Sequence, residues 1–346
     1  MRGMSFSVVA AAMASLLFAA EAAAENVEDF YRGKTITMLI GTGEGGGAVE
    51  DYPRALAQVM RKYMPGNPAF VVSNMPGAGG IKAANYLYSV APQDGTTWAF
   101  ITRGFISAPL LKIPQANFDP SKFAWIGSPA RSVSVGVIWT AASPVRSIAD
   151  AMNQQVVVGA TSIGQDTGIF PPMLNEFVAT KFKVVSGYPS VGDIDLAMER
   201  SEVQGKIGFT WASLNSGRTV DWVKDKKVAV IVQLGMAKAV DIPSDVPLAL
   251  DLAKNEADRQ AMEVLCAPSA TGYPSFMGPG VPQERVAAIR AAYEKTLHDP
   301  EFLALMQQES LAVDPISADE IGKVVRDMYA LPSSAVKRAS ALLPAP

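Results

Sequence analysis

The chain has 346 residues, a formal net charge of −3, and only one histidine and one cysteine. Its length exceeds the roughly 250 residues at which a single hydrophobic core stops growing, so two lobes are expected. The acidic balance argues against a nucleic-acid partner, and so scarce a supply of His and Cys removes the usual parts of zinc sites and nucleophile pairs. We therefore expect no metal and no cofactor, while chemistry by carboxylates alone stays open.

Residues 1–24 predict an export signal. A weak positive start at Arg2 precedes an apolar stretch over 8–20, and three alanines ending at Ala24 fit a cleavage site. Because the apolar stretch is shorter than the roughly 20 residues that span a bilayer, we expect a periplasmic protein cleaved near Ala24. An uncleaved membrane anchor is the alternative that this segment leaves open.

Two alternations of strands and helices follow the signal. The first predicts strands at 35–40, 69–73 and 98–102, with apolar residues at helical spacing between them. The second predicts strands at 133–139, 155–159, 182–186, 206–209 and 228–234. This order is typical of doubly wound α/β sheets.

The sequence after Asp241 predicts that the chain crosses back from lobe 2 to lobe 1. Two prolines after Asp241 suit a crossing, and three helices are predicted to close the chain, beginning near Pro282, Asp299 and Ser317. We expect lobe 1 to comprise 25–130 and 241–346, and lobe 2 to comprise 131–240.

Three predicted turns are rich in glycine and contain no lysine. They span 41–47, 74–80 and 159–164, each between a predicted strand and a predicted helix. A turn of this kind exposes unpaired N–H groups at the positive end of the helix dipole, and these can hold an anion without a basic side chain. The turns indicate a receptor for small anions, and tight packing without a ligand is the alternative.

The first turn also matches the glycine spacing of a dinucleotide fingerprint. That fingerprint requires an acidic residue about 20 positions further on, at the end of the second strand. Here the second strand ends at Ser73-Asn74, and an exported chain would not meet free NAD. We therefore do not expect a dinucleotide cofactor.

The chain resembles the extracytoplasmic receptors of tripartite tricarboxylate transporters, the Bug proteins, over nearly all of its mature length. The matching motifs are Tyr31-x-Gly33-Lys34-x-Ile36, Gly45-Gly46-Gly47 with Arg54, Asn74-Met75-Pro76-Gly77-Ala78-Gly79-Gly80, Ala91-Pro92-x-Asp94-Gly95, the segment 188–196, Pro282 and Asp299-Pro300. The resemblance implies a type II periplasmic-binding-protein fold, in which two doubly wound lobes enclose a ligand cleft as a Venus flytrap.

The resemblance also implies where a ligand is held. Family members bind a ligand carboxylate between the first two glycine turns, and the other ligand end against the second lobe. Transferred to this sequence, the contacts are Gly45, Gly46, Gly47, Gly77, Ala78, Gly79, Gly80, Thr161, Ser162, Gly164, Tyr188 and Asp193. For Asp193, the N-cap of a helix from Ile194 is the alternative.

Several positions stay open at this stage. The family usually has an aspartate two residues after its three glycines, where this chain has Val49, so either Glu50 or Asp51 takes the acidic role or the helix starts differently. Arg103 either points into the cleft as a counter-charge or lies exposed. The indole rings of Trp125 and Trp211 either line the cleft or pack in the core.

The function implied by the resemblance is capture of a small organic carboxylate, either a di- or tricarboxylate or an aromatic acid. The receptor would deliver it to the membrane permease subunits of a tripartite transporter, and we expect a monomer that is not an enzyme. One alternative is a receptor that serves a membrane sensor. Another is a periplasmic enzyme with Asp166, Asp193 or Asp195 as acid and base.

Overall fold

A computed structural model describes residues 26–43, 47–161, 165–215 and 217–343. The predicted export signal lies outside the described residues. No helix within the described ranges is both long enough and apolar enough to cross a membrane.

The strands in the described residues form two sheets. In chain order they are β1 (Thr35–Ile40), β2 (Ala69–Asn74), β3 (Thr97–Phe100), β4 (Ala124–Ser128), β5 (Ser134–Trp139), β6 (Val156–Ala160), β7 (Phe182–Ser186), β8 (Gly205–Thr210), β9 (Val228–Leu234), β10 (Ser275–Met277) and β11 (Ile316–Ser317). The first sheet has the order β11-β4-β10-β3-β1-β2, and the second has the order β7-β6-β8-β5-β9.

Helices connect and cover the strands. They are α1 (Val27–Tyr31), α2 (Ala48–Met60), α3 (Ile81–Ser89), α4 (Ile148–Asn153), α5 (Asp166–Val178), α6 (Val191–Glu199), α7 (Trp211–Leu214), α8 (Glu256–Cys266), α9 (Gln283–Leu297), α10 (Pro300–Gln308), α11 (Ala318–Tyr329) and α12 (Ser333–Ser340). Short 3-10 turns at Ala78–Gly80 and Arg103–Ser107 follow β2 and β3.

Both predicted alternations are confirmed as mixed α/β sheets. Strands β2, β1 and β3 pair in parallel, as do β7, β6 and β8. Each sheet also contains antiparallel strands that the doubly wound pattern did not specify: β10 lies between β3 and β4, and β5 lies between β8 and β9. The two-sheet α/β architecture expected from the sequence is therefore correct.

The closing segment differs from its prediction. Helix α12 makes a fourth helix after α9, α10 and α11, so the expectation of three closing helices is wrong. Its sequence is mainly small and polar, and only Ala335 and Ala339 are buried, so no apolar stripe marks it. Strands β10 and β11, of three and two residues, are too short to show a period.

Helices α8 and α12 pack together beside α5. Arg338 of α12 forms an ion pair with Asp258 of α8 and lies over the ring of Phe177 in α5. The final helix thus contacts the core beneath the second sheet, although its sequence position falls in the segment expected to complete lobe 1. The lobe boundaries themselves stay a prediction.

Candidate ligand-binding site

A cavity of about 760 Å³ lies between the two sheets. Its wall contains the residues that follow the carboxyl ends of the parallel strands in both sheets, such as Gly41 after β1, Ile101 after β3, Thr161 after β6 and Tyr188 after β7. In open α/β sheets this is the edge where ligands bind, because the loops that leave it diverge and open a crevice.

The first glycine turn brings main chain to the cavity. Gly41, Gly43 and Gly47 line the wall, and Gly47 is the N-cap of α2 with φ +64° and no capping side chain. The first N–H groups of α2 are therefore not occupied by a side-chain cap, and they lie at the positive end of the helix dipole. The predicted contacts Gly45 and Gly46 lie outside the described residues.

Some residues of the second glycine turn line the cavity, whereas others do not. All four residues from Gly77 to Gly80 have positive φ, but only Gly77 and Gly79 line the cavity. Ala78 is exposed and lies outside the cavity wall. A side chain at Gly80 would overlap Ile101, so this glycine serves close packing, the alternative that the sequence left open.

The two lobes meet at the second turn. A β-carbon at Gly79 would overlap the side-chain amide of Gln165, the residue that precedes α5 in the second lobe. The hydroxyl of Thr102 donates to the Gly79 carbonyl at 3.1 Å and fixes the turn on the first-lobe side. Gln165 also lines the cavity, although no motif or pattern in the sequence indicated this residue.

Arg103 connects the lobes inside the cleft. Only 6% of it is exposed, and it lines the cavity, so the reading as an exposed arginine is wrong. Its guanidinium donates to Ser134 Oγ at 2.6 Å, to Asp166 Oδ2 at 3.0 Å and to the Ser132 carbonyl at 3.3 Å. Because its three partners belong to the second-lobe segment, Arg103 tethers the end of β3 to β5 and α5.

Asp51, not Glu50, reaches the cavity. Glu50 is buried against Arg54, which donates to it, and it lies outside the wall. Asp51 is one position further around α2 and lines the cavity together with Glu309. Burial raises the pKa of Asp51, and the negative charges of Glu309 and Glu50 add to this while Arg54 opposes it.

The third glycine turn is described only at its start. Thr161 lines the cavity, and its N–H donates to Thr167 Oγ1 at 3.2 Å. Ser162 and Gly164 lie outside the described residues. Tyr188, at the start of the next turn, also lines the cavity, and burial raises the pKa of its phenol.

Asp193 belongs to a helix cap. Its carboxylate accepts from Ser190 N at 3.0 Å and from Ser190 Oγ at 2.7 Å, while Ser190 Oγ accepts from Asp193 N. These contacts form a capping box in which Ser190 is the N-cap of α6 and Asp193 is its third residue. The helix starts three residues earlier than the sequence suggested, and Asp193 is not in the cavity wall.

Asp195 occupies the wall instead. It is 5% exposed, lines the cavity, and accepts a hydrogen bond from Lys206 Nζ of β8. Lys206 is fully buried, and its ammonium lies 3.2 Å from the ring centre of Phe209. Burial lowers the pKa of Lys206 to about 8 against the opposing effect of Asp195, and burial raises the pKa of Asp195 against the opposing effect of Lys206.

A sequence signal for this pair did exist. Lys206 begins a predicted strand of otherwise apolar residues, and an ammonium buried in such a strand is costly unless a carboxylate pairs with it. The sequence did not show which carboxylate would do so.

The sequence left the placement of Trp125 and Trp211 undecided, and neither of them lines the cavity. Trp125 is buried against Phe276, with ring centres 5.2 Å apart, and so belongs to the core. Trp211 begins α7 and packs beside the core of the second sheet. The aromatic residues that line the cavity are Tyr188, Phe209 and Tyr273.

Within the described ranges, no three His, Cys, Asp or Glu residues come together in a group that could hold a metal ion. Among the described residues, the charged ones in the cavity wall are Asp51, Arg103, Asp166, Asp195, Arg218 and Glu309. Of the four acids, Asp51 and Glu309 are close enough for the charge of Glu309 to raise the pKa of Asp51, whereas Asp166 is paired with Arg103 and Asp195 with Lys206.

No protein-family model matches the chain. A curated relative from Cupriavidus necator, described as "UPF0065 protein in gbd 5'region", is 33% identical over 144 residues. The match covers 40% of this chain and 41% of that protein, so the chain aligns with less than half of the relative's length.

Solved structures share the fold over almost their whole length. A TctC solute-binding protein from Polaromonas aligns with a TM-score of 0.63 at 15% identity, over 89% of this chain and 99% of the other. The periplasmic binding protein BugD aligns with a TM-score of 0.63 at 18% identity, over 90% and 99%. Rpa4515 of R. palustris, solved with adipate, aligns with a TM-score of 0.65 at 16% identity, over 90% and 99%.

These likenesses establish the fold of the chain as that of the periplasmic binding proteins. The resemblance to the Bug proteins, expected from the glycine turns and the motifs around them, is confirmed at the level of the fold.

Proposed function

We propose that the protein is a periplasmic receptor that captures a small organic carboxylate in the cavity between its two sheets. The observation that carries this proposal is that main chain at Gly43, Gly77 and Gly79 lines the same cavity as the start of α2 at Gly47, which has no side-chain cap. Free N–H groups at a helix start bind anions. A cavity of about 760 Å³ suits a small organic acid.

Capture requires closure of two lobes and no covalent step. A ligand that contacts both walls biases the protein toward the closed arrangement. The three carboxylates that the sequence offered for acid–base chemistry each have a structural partner: Asp166 pairs with Arg103, Asp193 belongs to its capping box, and Asp195 pairs with Lys206 through one oxygen. This favours binding over turnover, and so the receptor over the enzyme.

The structural neighbours support the same reading. One is a solute-binding protein, another is a periplasmic binding protein, and a third was solved with adipate. In this proposal the protein is exported, and the loaded form presents its ligand to the permease subunits of a tripartite tricarboxylate transporter.

The test is a thermal-shift screen with mono-, di-, tri- and aromatic carboxylates. A ligand that binds only the native state raises Tm, and a concentration of about 100 times Kd adds about 2.7 kcal/mol to the free energy of unfolding. Bound acid recovered unchanged after long incubation separates a receptor from an enzyme. If no acid raises Tm, or if the acid is converted, the proposal is wrong. Uptake measured with and without the protein then separates delivery to a permease from service to a sensor.

A further inference from the structure

A fully buried lysine lies directly behind the second-lobe wall. Lys206 is 0% exposed on β8, between neighbours that are mainly apolar. Its face is set by a β-bulge: Val135 pairs with Phe209, and Gly136 pairs with Ile207, so one extra residue, Gly208, stands in β8. Because the bulge shifts the alternation, the ammonium of Lys206 and the ring of Phe209 come together.

Stability alone does not explain the pair that Lys206 forms with Asp195. The cost of removing two charges from water can exceed their mutual attraction, and apolar residues of similar size often stabilise a fold as well or better. The pair does have a local effect. The ammonium of Lys206 opposes the rise that burial causes in the pKa of Asp195, and its hydrogen bond fixes the orientation of that carboxylate at the edge of the cavity.

One oxygen of Asp195 remains available to the cavity. Lys206 donates to Oδ1, and within the described residues Oδ2 has no hydrogen-bond partner. On α6, Asp195 lies one turn after Val191 and Gly192, which also line the cavity, so all three share a face. The carboxylate that the sequence assigned to ligand binding, Asp193, is turned away by its capping box, and Asp195 presents the acceptor in its place.

We propose that Asp195 is the specificity-determining acceptor of the second lobe, and that the ligand is an organic acid whose far end carries a hydrogen-bond donor such as an ammonium or a hydroxyl group. This rests on the proposed function, because it assumes that the near end of the ligand is a carboxylate held by the glycine turns.

The charges around Asp195 favour a donor over a second carboxylate. Arg218 also lines the cavity, but it is already ion-paired with Glu199. A ligand carboxylate placed against Asp195 would therefore meet like charge beside a cation that is already neutralised, and such repulsion discriminates against a wrong partner. An ammonium or hydroxyl group there would complete the hydrogen bonding of Oδ2.

The test uses unbranched acids that differ only at the far end. For chains of four, five and six carbons, the carboxylate is kept and the other end is a methyl, hydroxyl, ammonium or carboxylate group. Titration calorimetry measures the affinity of the full mature chain for each acid. At the chain length that fits, the amino or hydroxy acid should bind about tenfold more tightly than the diacid of equal length, as a hydrogen bond to a charged group implies.

The variant Asp195→Asn separates a ligand contact from a structural role. Asparagine can still accept from Lys206, but it offers an N–H₂ group to the cavity, so the preference should reverse in favour of the diacid. Because this variant leaves Lys206 without a counter-charge, the double variant Asp195→Asn with Lys206→Gln provides a form without buried charge. The control is Asp150→Asn, the same change in a second-lobe capping box that lies outside the cavity wall.

The outcomes distinguish this inference from the proposed function. Preference for the amino or hydroxy acid in the native chain and in Asp150→Asn, with reversal in either Asp195 variant, supports it. The inference is wrong, while the receptor function stands, if the plain diacids bind as tightly as the amino and hydroxy acids. It is also wrong if Asp195→Asn changes the affinity for the diacids and for the amino and hydroxy acids by the same factor. If no acid of any group binds the native chain, the receptor function is wrong and the inference falls with it.

Discussion

The two walls of the cavity are built from different chemistry. Where the glycine turns form it, the first-lobe wall is main chain, contributed by Gly41, Gly43, Gly77 and Gly79. The second-lobe wall is made largely of side chains, among which are Tyr188, Asp195, Phe209, Thr210, Ser213 and Arg218. Main-chain N–H groups recognise any carboxylate, whereas side chains distinguish one acid from another. Under the proposed function, capture and selectivity therefore reside on opposite lobes.

The largest effect is expected at the main-chain wall. Gly79→Leu should remove the ligand-dependent rise in Tm, because its side chain would occupy the place of Gln165 and keep the lobes apart. The substitution also carries a backbone cost of about 1 to 2 kcal/mol, since Gly79 has φ +65°. The measurement is the shift in Tm with a bound acid.

The control is Gly33→Leu. Gly33 has a similar φ of +74° but lies in open space, with nothing within 4 Å of an added β-carbon. Both variants should lose similar stability, and only Gly79→Leu should lose the response to ligand. A normal response in Gly79→Leu would show that the second turn does not form the closing surface.

A smaller effect is expected where the walls are tethered. Arg103→Met should lower the free energy of unfolding by about 2 kcal/mol, because it leaves Asp166 and Ser134 without their donor. The estimate is below that for a fully buried pair, since the side chain of Asp166 is 27% exposed and water screens it. Urea unfolding measures the loss.

A surface arginine provides the comparison for Arg103. Arg131 pairs with Glu320 at 3.0 Å, and its side chain is 52% exposed. Arg131→Met should cost no more than about 0.5 kcal/mol. Equal losses in the two variants would contradict the role of Arg103 as a buried tether between the lobes.

The buried ion pair of the second wall predicts a pH dependence. The pKa of Lys206 falls from 10.5 to about 8 on folding, so the unfolded chain binds more protons at this group between those values. Its contribution to stability therefore rises with pH in that window, by about 1 kcal/mol between about pH 7.5 and 9. The measurement is the difference in unfolding free energy between the native chain and Lys206→Met. A difference that stays flat would mean that Lys206 keeps an ordinary pKa.

An effect of similar size is expected at the helix caps. Ser190 at the cavity wall and Ser147 away from it each form a capping box, with Asp193 and Asp150 respectively. Ser190→Ala and Ser147→Ala should each cost about 1 kcal/mol, measured by urea unfolding. A loss at Ser147 alone would mean that Asp193 is not held by its cap, and would return Asp193 to the candidate ligand contacts.

Much of the architecture was predictable from local pattern. Strands β1, β5, β7 and β9 lie within a residue of their expected positions, because each is an apolar run bounded by turn residues. Strand β10 was missed because three residues show no period, and it joins the first sheet only through antiparallel contacts with β3 and β4. The contact between α12 and α8 was not predictable from local pattern, because the ion pair that joins them, Arg338 with Asp258, links residues 80 positions apart.

The sequence by itself determined that glycine turns follow parallel strands, because the backbone freedom of glycine and the dipole of a helix start are local properties. Only the tertiary structure decided which acids face the cavity. Successive residues of an α-helix point about 100° apart. The choices of Asp51 over Glu50 and of Asp195 over Asp193 therefore depended on how α2 and α6 are capped and packed against their sheets, which no single stretch of sequence specifies.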